Sequence, residues 1–206
     1  MSFDEAVTAA VALFVTIDPV GSVPLFIALT RTMDIAARRM TAIRACVIAF
    51  VILTFFGLFG ETMLEAIGIS MSAFRIAGGL LLFLIAVEML FEKRSERRNH
   101  RADDPPPDPT VFPLATPLIA GPGALATMIL YSSTTEGIAG LVILNLILAA
   151  IMALCLGLFL AGSSVARHLS PTGITVFTRL LGILLAALSV QFVIDGLTEV
   201  GIIDGT

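Results

Sequence analysis

The chain has 206 residues, of which 57% are apolar even without its 17 Gly, and only 14% are charged. Soluble domains average roughly 45–50% apolar and about 25% charged residues, so this composition excludes an ordinary soluble enzyme. The formal net charge is −4 and no basic, aromatic-rich stretch is present, which argues against a nucleic-acid partner. We expect an all-α integral membrane protein.

Six apolar runs are long enough to cross the hydrocarbon core, which takes roughly 20 helical residues. They cover residues 5–30, 40–64, 68–91, 110–132, 138–161 and 174–197. The acidic N-terminus lacks the positive region of a secretory signal, so the first run is expected to remain as a span. A charged, Pro-rich stretch then divides the chain into a first three-helix repeat (1–92), a cytoplasmic linker (93–109) and a second three-helix repeat (110–206).

The distribution of Lys and Arg predicts the orientation of the chain. Ten of the twelve basic residues fall in the connections after the first, third and fifth spans. The positive-inside rule assigns these connections to the cytoplasm, so both termini are expected on the outer side of the membrane. The two exceptions are Arg75 in the third span and Arg179 in the sixth.

The two halves resemble each other in sequence. Pro19 and Pro122 each follow a small or turn-forming residue and begin an apolar stretch, and Arg75 and Arg179 follow them by 56 and 57 residues. Each arginine has a glycine three residues later, which we expect to allow close helix packing, at Gly78 and Gly182. Because each half contains three spans, the second half enters the membrane from the opposite side. This predicts an inverted-topology repeat, which is typical of secondary transporters.

Helices 1 and 4 are predicted to be broken near the bilayer midplane, because Pro19 and Pro122 lie in mid-span and proline interrupts a helix. A residue such as Asp18 or Gly121 before a proline is a typical helix start. Two helix N-termini near the midplane would stabilise an anionic group. The predicted substrate-binding residues are Asp18, Pro19, Gly21, Pro24, Pro117, Gly121, Pro122 and Gly123.

Several polar residues within the spans have more than one interpretation. Asp18 either binds a proton, a cation or a substrate ammonium, or only caps its helix. Arg75 and Arg179 either form ion pairs that act as gates or extend to the membrane interface. Asn145 and Gln191 are expected to make hydrogen bonds between helices.

The sequence predicts no catalytic residues, no metal site and no cofactor. No grouping of Ser, His and Asp suits nucleophilic catalysis, and no Walker A sequence is present. His100 and His168 lie in connections between spans. Cys46 and Cys155 lie within apolar runs without CxxC spacing, so we expect them to be small buried hydrophobes.

Three segments carry a resemblance to a known family: FVTIDPVGSVPLFIALT (14–30), FRIAGGLLLFLIAVEML (74–90) and FPLATPLIAGPGALATMIL (112–130). Over nearly its whole length the chain resembles the MarC family of bacterial inner-membrane proteins. The resemblance implies six spans, an inner-membrane location and a relationship to LysE-type exporters. Some members of the family are described as transporters of small neutral amino acids.

These observations together predict a secondary transporter or exporter of glycine-like or alanine-like amino acids, coupled to protons or sodium. Two opposed helix N-termini and one Asp suit a small zwitterion better than a bulky drug, so drug efflux is not expected. The alternatives are transport of another small solute or ion, a non-transporting membrane scaffold and an intramembrane enzyme. The expected partners are a small-molecule substrate, the lipid bilayer and a coupling ion, and small residues spaced four apart are compatible with a homo-oligomer.

Overall fold

The computed structural model describes residues 1–91, 108–135, 137–161 and 171–202. Within these ranges the chain forms eight helices and no β-strand, which confirms the all-α prediction. The helices are α1 (Phe3–Ile17), α2 (Pro19–Leu29), α3 (Ile35–Ala66), α4 (Met71–Leu90), α5 (Thr110–Ile119), α6 (Pro122–Ser133), α7 (Gly137–Leu160) and α8 (Pro171–Glu199).

The helices agree with the predicted spans to within a few residues. The stretch Phe3–Leu29 and the helices α3, α4, α7 and α8 are each long and apolar enough to cross a membrane, and α5 with α6 gives a sixth candidate bent by 56°. α3 begins before the predicted apolar run because Asp34 caps it, accepting a hydrogen bond from the N–H of Ala37 at 2.7 Å. Its 32 residues make a helix about 48 Å long, which exceeds the hydrocarbon core of about 30 Å.

The linker predicted at 93–109 lies outside the described residues except for Asp108 and Pro109. The same holds for His100, His168 and six of the basic residues that set the predicted orientation: Lys93, Arg94, Arg97, Arg98, Arg101 and Arg167. The division into repeats and a linker therefore stays a prediction.

Most of the helix packing joins the first half of the chain (α1–α4) to the second half (α5–α8). α3 packs against α5, α6 and α7, while α7 packs against α1 and α2. One buried cluster lies among α1, α2, α3, α5, α6 and α7, and a smaller one among α1, α4, α6 and α8. Each cluster draws on both halves, so each half buries its apolar faces mainly against the other.

The most extensive contact is between α4 and α8, which run antiparallel. A Cβ on Gly196 would lie 3.0 Å from the backbone oxygen of Ser72, and one on Gly79 would lie 2.7 Å from that of Ser189. A Cβ on Gly182 would lie 3.2 Å from the backbone oxygen of Ala86. Small residues thus recur every seven positions along both helices and let the two backbones approach closely. The close packing predicted at Gly182 is confirmed.

Gly78 is also packed closely, against a different helix. A Cβ added there would lie 3.2 Å from Cδ1 of Leu130 on α6. One polar contact between helices is confirmed as well, because the Thr54 hydroxyl on α3 donates to Oδ1 of Asn145 on α7 at 2.8 Å. Gln191 departs from the prediction, since it is exposed and donates to Asp195 one turn later in the same helix, at 2.7 Å.

An aromatic stack lies where α2 meets α7. The rings of Phe26 and Phe159 are parallel to within 3° with centroids 4.3 Å apart, and both side chains are fully buried. The guanidinium carbon of Arg38, near the start of α3, lies 5.5 Å from the Phe26 centroid. This distance is within the range of a cation–π contact, so α2, α3 and α7 are held together near the C-terminal end of α2.

Candidate functional site

Asp18 separates α1 from α2 and belongs to both. Its φ of 53° and ψ of 65° are left-handed, which ends α1, and its N–H still donates to the carbonyl of Phe14 at 2.9 Å. Asp tolerates this conformation better than most non-glycine residues. Its Oδ1 accepts a hydrogen bond from the N–H of Gly21 at 3.0 Å, which caps α2. Only 1% of Asp18 is exposed, so a carboxylate is buried at the junction of two helices.

The Asp18 carboxylate limits which residues fit next to it at the start of α2. A Cβ on Gly21 would lie 2.3 Å from Oδ2 of Asp18, so only glycine leaves room for the carboxylate to lie over the first turn of α2. Pro19 is buried at the first helical position, where its missing N–H is not needed. Pro24 lies further along α2 on an exposed face and is not part of this cluster.

The second helix start, at Gly121, is built differently. α5 is irregular, with non-helical backbone at Phe112, Thr116 and Pro117. α6 begins at the exposed Pro122 after Gly121, and no side chain caps it. Gly121 is closely packed, because a Cβ there would lie 2.6 Å from the backbone oxygen of Pro117.

The first amides of α6 are therefore left open. Leu125 donates to the carbonyl of Gly121 at 3.0 Å, as the first regular bond of the helix. Among the described residues, the backbone N–H groups of Gly123 and Ala124 have no acceptor, and both residues are buried. Two free donors at a helix N-terminus form a site that favours an anion.

The two helix starts lie next to each other. A Cβ on Gly123 would lie 3.8 Å from the methyl carbon of Thr16, two residues before Asp18, and 2.6 Å from Cδ1 of Ile85 on α4. The space beside Gly123 is therefore narrow. Sequence reasoning missed Thr16 and Ile85, because neither carries a signal that distinguishes it from other span residues.

Three buried hydroxyls lie on the same segments, on Thr16, Ser22 and Thr127. Each donates to a carbonyl one turn earlier at 2.8 Å: Thr16 to Ala12, Ser22 to Asp18 and Thr127 to Gly123. The hydroxyl hydrogens are thus used within the helices. Among the described residues no group of three or more His, Cys, Asp or Glu side chains could hold a metal ion.

Arg75 does not join the cluster at the helix starts. It is buried near the beginning of α4 and forms an ion pair with Glu199 at the end of α8. Leu82, which lies beside Gly123, follows Arg75 by seven residues, or about 10 Å along the helix. The counterpart residue Arg179 lies on an exposed face of α8. Glu199 was missed as the partner of Arg75, since the pairing depends on how α4 and α8 align.

Helices long and apolar enough to cross a membrane, with large apolar side chains on their outer faces, define a multi-pass integral membrane protein. A sequence model described as "MarC family integral membrane protein" matches residues 3–201. The chain belongs to the MarC family, as its sequence motifs predict.

Similar proteins occur in bacteria and archaea. The UPF0056 membrane protein YhcE of Escherichia coli is 36% identical over 191 residues, covering 91% of this chain and 89% of that protein. A UPF0056 membrane protein of Archaeoglobus fulgidus is 38% identical over 200 residues, covering 91% and 89%. The UPF0056 membrane protein YvbG of Bacillus subtilis is 33% identical over 202 residues, covering 96% of each chain. No solved structure matches the chain.

Proposed function

We propose that this protein is a secondary transporter of small neutral amino acids across the bacterial inner membrane, without catalytic activity. The observation that carries the proposal is the meeting of two unlike helix starts, one bearing the buried Asp18 carboxylate and the other the uncapped amides of Gly123 and Ala124. Irregular backbone inside a membrane is tolerated where protein or an aqueous cavity covers it, and transporters use such helix ends to bind substrates.

The chemistry of the two helix starts suits a zwitterion. The free amides of α6 would bind the substrate carboxylate, helped by the positive end of the helix dipole. Asp18 would meet the ammonium group directly or carry the coupling proton or sodium ion. The close approach of Thr16 to Gly123 favours side chains no larger than that of alanine.

The proposed architecture is a pair of inverted repeats, α1–α4 and α5–α8, with α1/α2 and α5/α6 broken near the midplane. The packing supports it, because the contacts of α3 with α5 and α6 have counterparts in those of α7 with α1 and α2. The 15 residues of α1 extend about 23 Å, which would bring Asp18 deep into the bilayer if the N-terminus lies outside. Both termini are proposed to face the periplasm.

Uptake into proteoliposomes tests the proposal. Purified protein is reconstituted, and uptake of radiolabelled glycine and alanine is measured with proton and sodium gradients imposed separately. We expect saturable uptake that depends on one of the gradients. Unlabelled alanine should compete, whereas glycine methyl ester, which lacks the carboxylate, and the larger leucine should not.

The matched variants are Asp18→Asn and Glu61→Gln, the latter at an exposed position on α3. Both remove one carboxylate, and we expect only Asp18→Asn to abolish gradient-driven uptake. Uptake no greater than in empty liposomes, from protein with an intact helical circular dichroism spectrum, would contradict the amino-acid proposal and favour another solute or a scaffold.

A further inference from the structure

A groove runs along the outside of the α3–α7 pair and shares no residue with the two helix starts. Its cavity of about 200 Å³ is lined by Ile43, Val47 and Phe50 of α3 and by Ala149, Ala153 and Leu156 of α7, among others, and all its side chains are apolar or contain sulfur. The volume equals that of about seven water molecules at about 30 Å³ each. It therefore suits one hydrocarbon chain segment better than a helix.

The groove opens onto the apolar outer surface of the protein. Ile43 is 41% exposed and Val47 is 55% exposed, and Ala153 on the opposite wall is exposed as well. Since α3 and α7 are both candidate membrane spans, this surface faces hydrocarbon in the bilayer. A lipid chain can enter the groove without crossing water.

One end of the groove carries positive charge. Arg39 lies four residues before Ile43 on α3, so it shares the groove face and lies one turn beyond its end. Arg39 is exposed, and within the described residues neither it nor Arg38 or Arg44 forms an ion pair. Nη2 of Arg38 is buried and has no hydrogen-bond partner in the described part of the chain. Arg44 is close enough to Asp108 to help lower the pKa of that carboxyl, whereas Arg39 is an exposed cation for which the described residues show no acidic partner.

We propose that the α3–α7 groove binds an anionic phospholipid, with one acyl chain between the helices and the headgroup phosphate at Arg39. The apolar lining would bind the acyl chain and Arg39 would bind the anionic headgroup. Basic residues beside apolar grooves form lipid sites of this kind at the ends of membrane helices. A second copy of the protein is a poorer occupant. A two-fold dimer through this face would bring Arg39 of one copy close to Arg39 of the other, at the same membrane depth.

Native mass spectrometry of the delipidated full-length protein tests the site. The protein is titrated with dioleoyl phosphatidylglycerol, which is anionic, and with dioleoyl phosphatidylcholine, which has no net charge. We expect the first lipid to be bound more tightly. Arg39→Gln should weaken phosphatidylglycerol binding about fivefold, equivalent to about 1 kcal/mol, and leave phosphatidylcholine binding unchanged.

Two matched controls separate the site from general effects. Arg44→Gln removes the same charge about 140° further around α3 and should have no more than a small effect. Ala153→Phe fills the groove and should weaken both lipids, whereas Ala150→Phe, at an exposed position beside the groove, should not.

Equal binding of the two lipids, or equal effects of each variant and its control, would overturn the proposal. A dimer mass that Ala153→Phe abolishes would also overturn it, by showing a second copy in the groove. The measurement involves no transport, so its result is independent of the proposed function.

Discussion

The starts of α2 and α6 share a sequence pattern, in which a small or turn-forming residue precedes a proline. They differ in how the first N–H groups of the helix are bonded. Asp18 reaches forward to the N–H of Gly21 at 3.0 Å and satisfies α2 from within the chain. Gly121 has no side chain, and the amides at the start of α6 find no acceptor among the described residues. The start of α2 is thus capped by a carboxylate of the chain itself, whereas the N–H groups at the start of α6 can donate to the carboxylate of a ligand.

This difference predicts that the two starts tolerate different substitutions. At the first, glycine at position 21 leaves room for the Asp18 carboxylate, which occupies the space of a Cβ on Gly21. At the second, glycine is required at the cap itself, because the carbonyl of Pro117 lies there. A side chain introduced at Gly21 should therefore displace the carboxylate of Asp18, which can move. A side chain introduced at Gly121 should instead collide with the backbone of Pro117.

The largest effect is expected from Asp18→Ala. It removes the cap, worth up to about 2 kcal/mol, and puts alanine into a left-handed conformation at a further cost of about 1 kcal/mol. A loss of about 3 kcal/mol follows from these two terms. Asp18→Asn keeps both the capping oxygen and the tolerance of this conformation, so its stability should be close to that of the wild type.

Cys155, which is fully buried, provides the assay once Cys46, which lines the α3–α7 groove, has been replaced by Ala in every protein compared. The Cys155 thiol is expected to react with a fluorogenic maleimide only when the protein unfolds, so thermal unfolding in detergent can be followed without tryptophan, which the chain lacks. Equal destabilisation by Asp18→Ala and Asp18→Asn would show that the side-chain oxygen does not cap α2.

A somewhat smaller effect is expected from Gly121→Ala. The new methyl group would lie 2.6 Å from a backbone oxygen, and such overpacking costs about 2 kcal/mol. Gly157→Ala is the matched control, since a Cβ at Gly157 meets nothing within 4 Å. The same unfolding assay should show a loss only for the first variant, and equal melting temperatures would mean that α5 relaxes freely away from α6.

Gly21→Ala should destabilise less than Gly121→Ala. The carboxylate of Asp18 must move and lose its bond to the N–H of residue 21, worth about 1–2 kcal/mol. Alanine in place of glycine returns up to about 1 kcal/mol of helix propensity, so the net loss is expected to be below about 1 kcal/mol. A loss larger than that of Gly121→Ala would show that the Asp18 side chain is rigid, and would reverse the distinction between the two starts.

The smallest effect concerns the entry to α5. Hydrogen bonds from the side chain and the backbone of Thr110 hold the pKa of Asp108 below its usual range, and the backbone bond is 3.0 Å long. Thr110→Val removes the hydroxyl, so the pKa of Asp108 should rise part of the way to its ordinary value, which a carboxylate NMR titration measures. Because the pKa of Asp108 is lower in the folded state, the ionised carboxylate stabilises the fold at pH values above its unfolded-state pKa. This stabilisation is lost as the pH falls through the folded-state pKa. An unchanged pKa in the variant would assign the shift to the backbone N–H of Thr110 and to the nearby Arg44.

The helical fold was predictable because hydropathy fixes it locally. Each candidate span follows from a run of apolar residues, and the start of α2 follows from the pair Asp18–Pro19, since a capping side chain and a proline act within one turn. The interhelical bond of Asn145 was predictable for a similar reason, because an amide in an apolar span needs a partner.

Features that depend on alignment between distant helices were not predictable. The pairing of Arg75 with Glu199 requires α4 and α8 to run antiparallel in one particular register. The contact of Thr16 with Gly123 requires α1 and α6 to meet at their ends. The irregular backbone at Phe112 and Thr116 was missed because single prolines predict where a helix is disturbed and not which conformation replaces it.

The α4–α8 contact has a consequence for how the protein is made. Ribosomes deliver helices from the N-terminus onward, so α4 enters the membrane with its face of Ser72, Gly79 and Ala86 before α8 has been synthesised. Since α5, α6 and α7 come between α4 and α8 in the chain, that face must wait in lipid until those helices and α8 have been made. The α4–α8 contact is therefore expected to form only after α8 has inserted, and chains truncated before α8 should be recognised by the cell as incomplete and degraded.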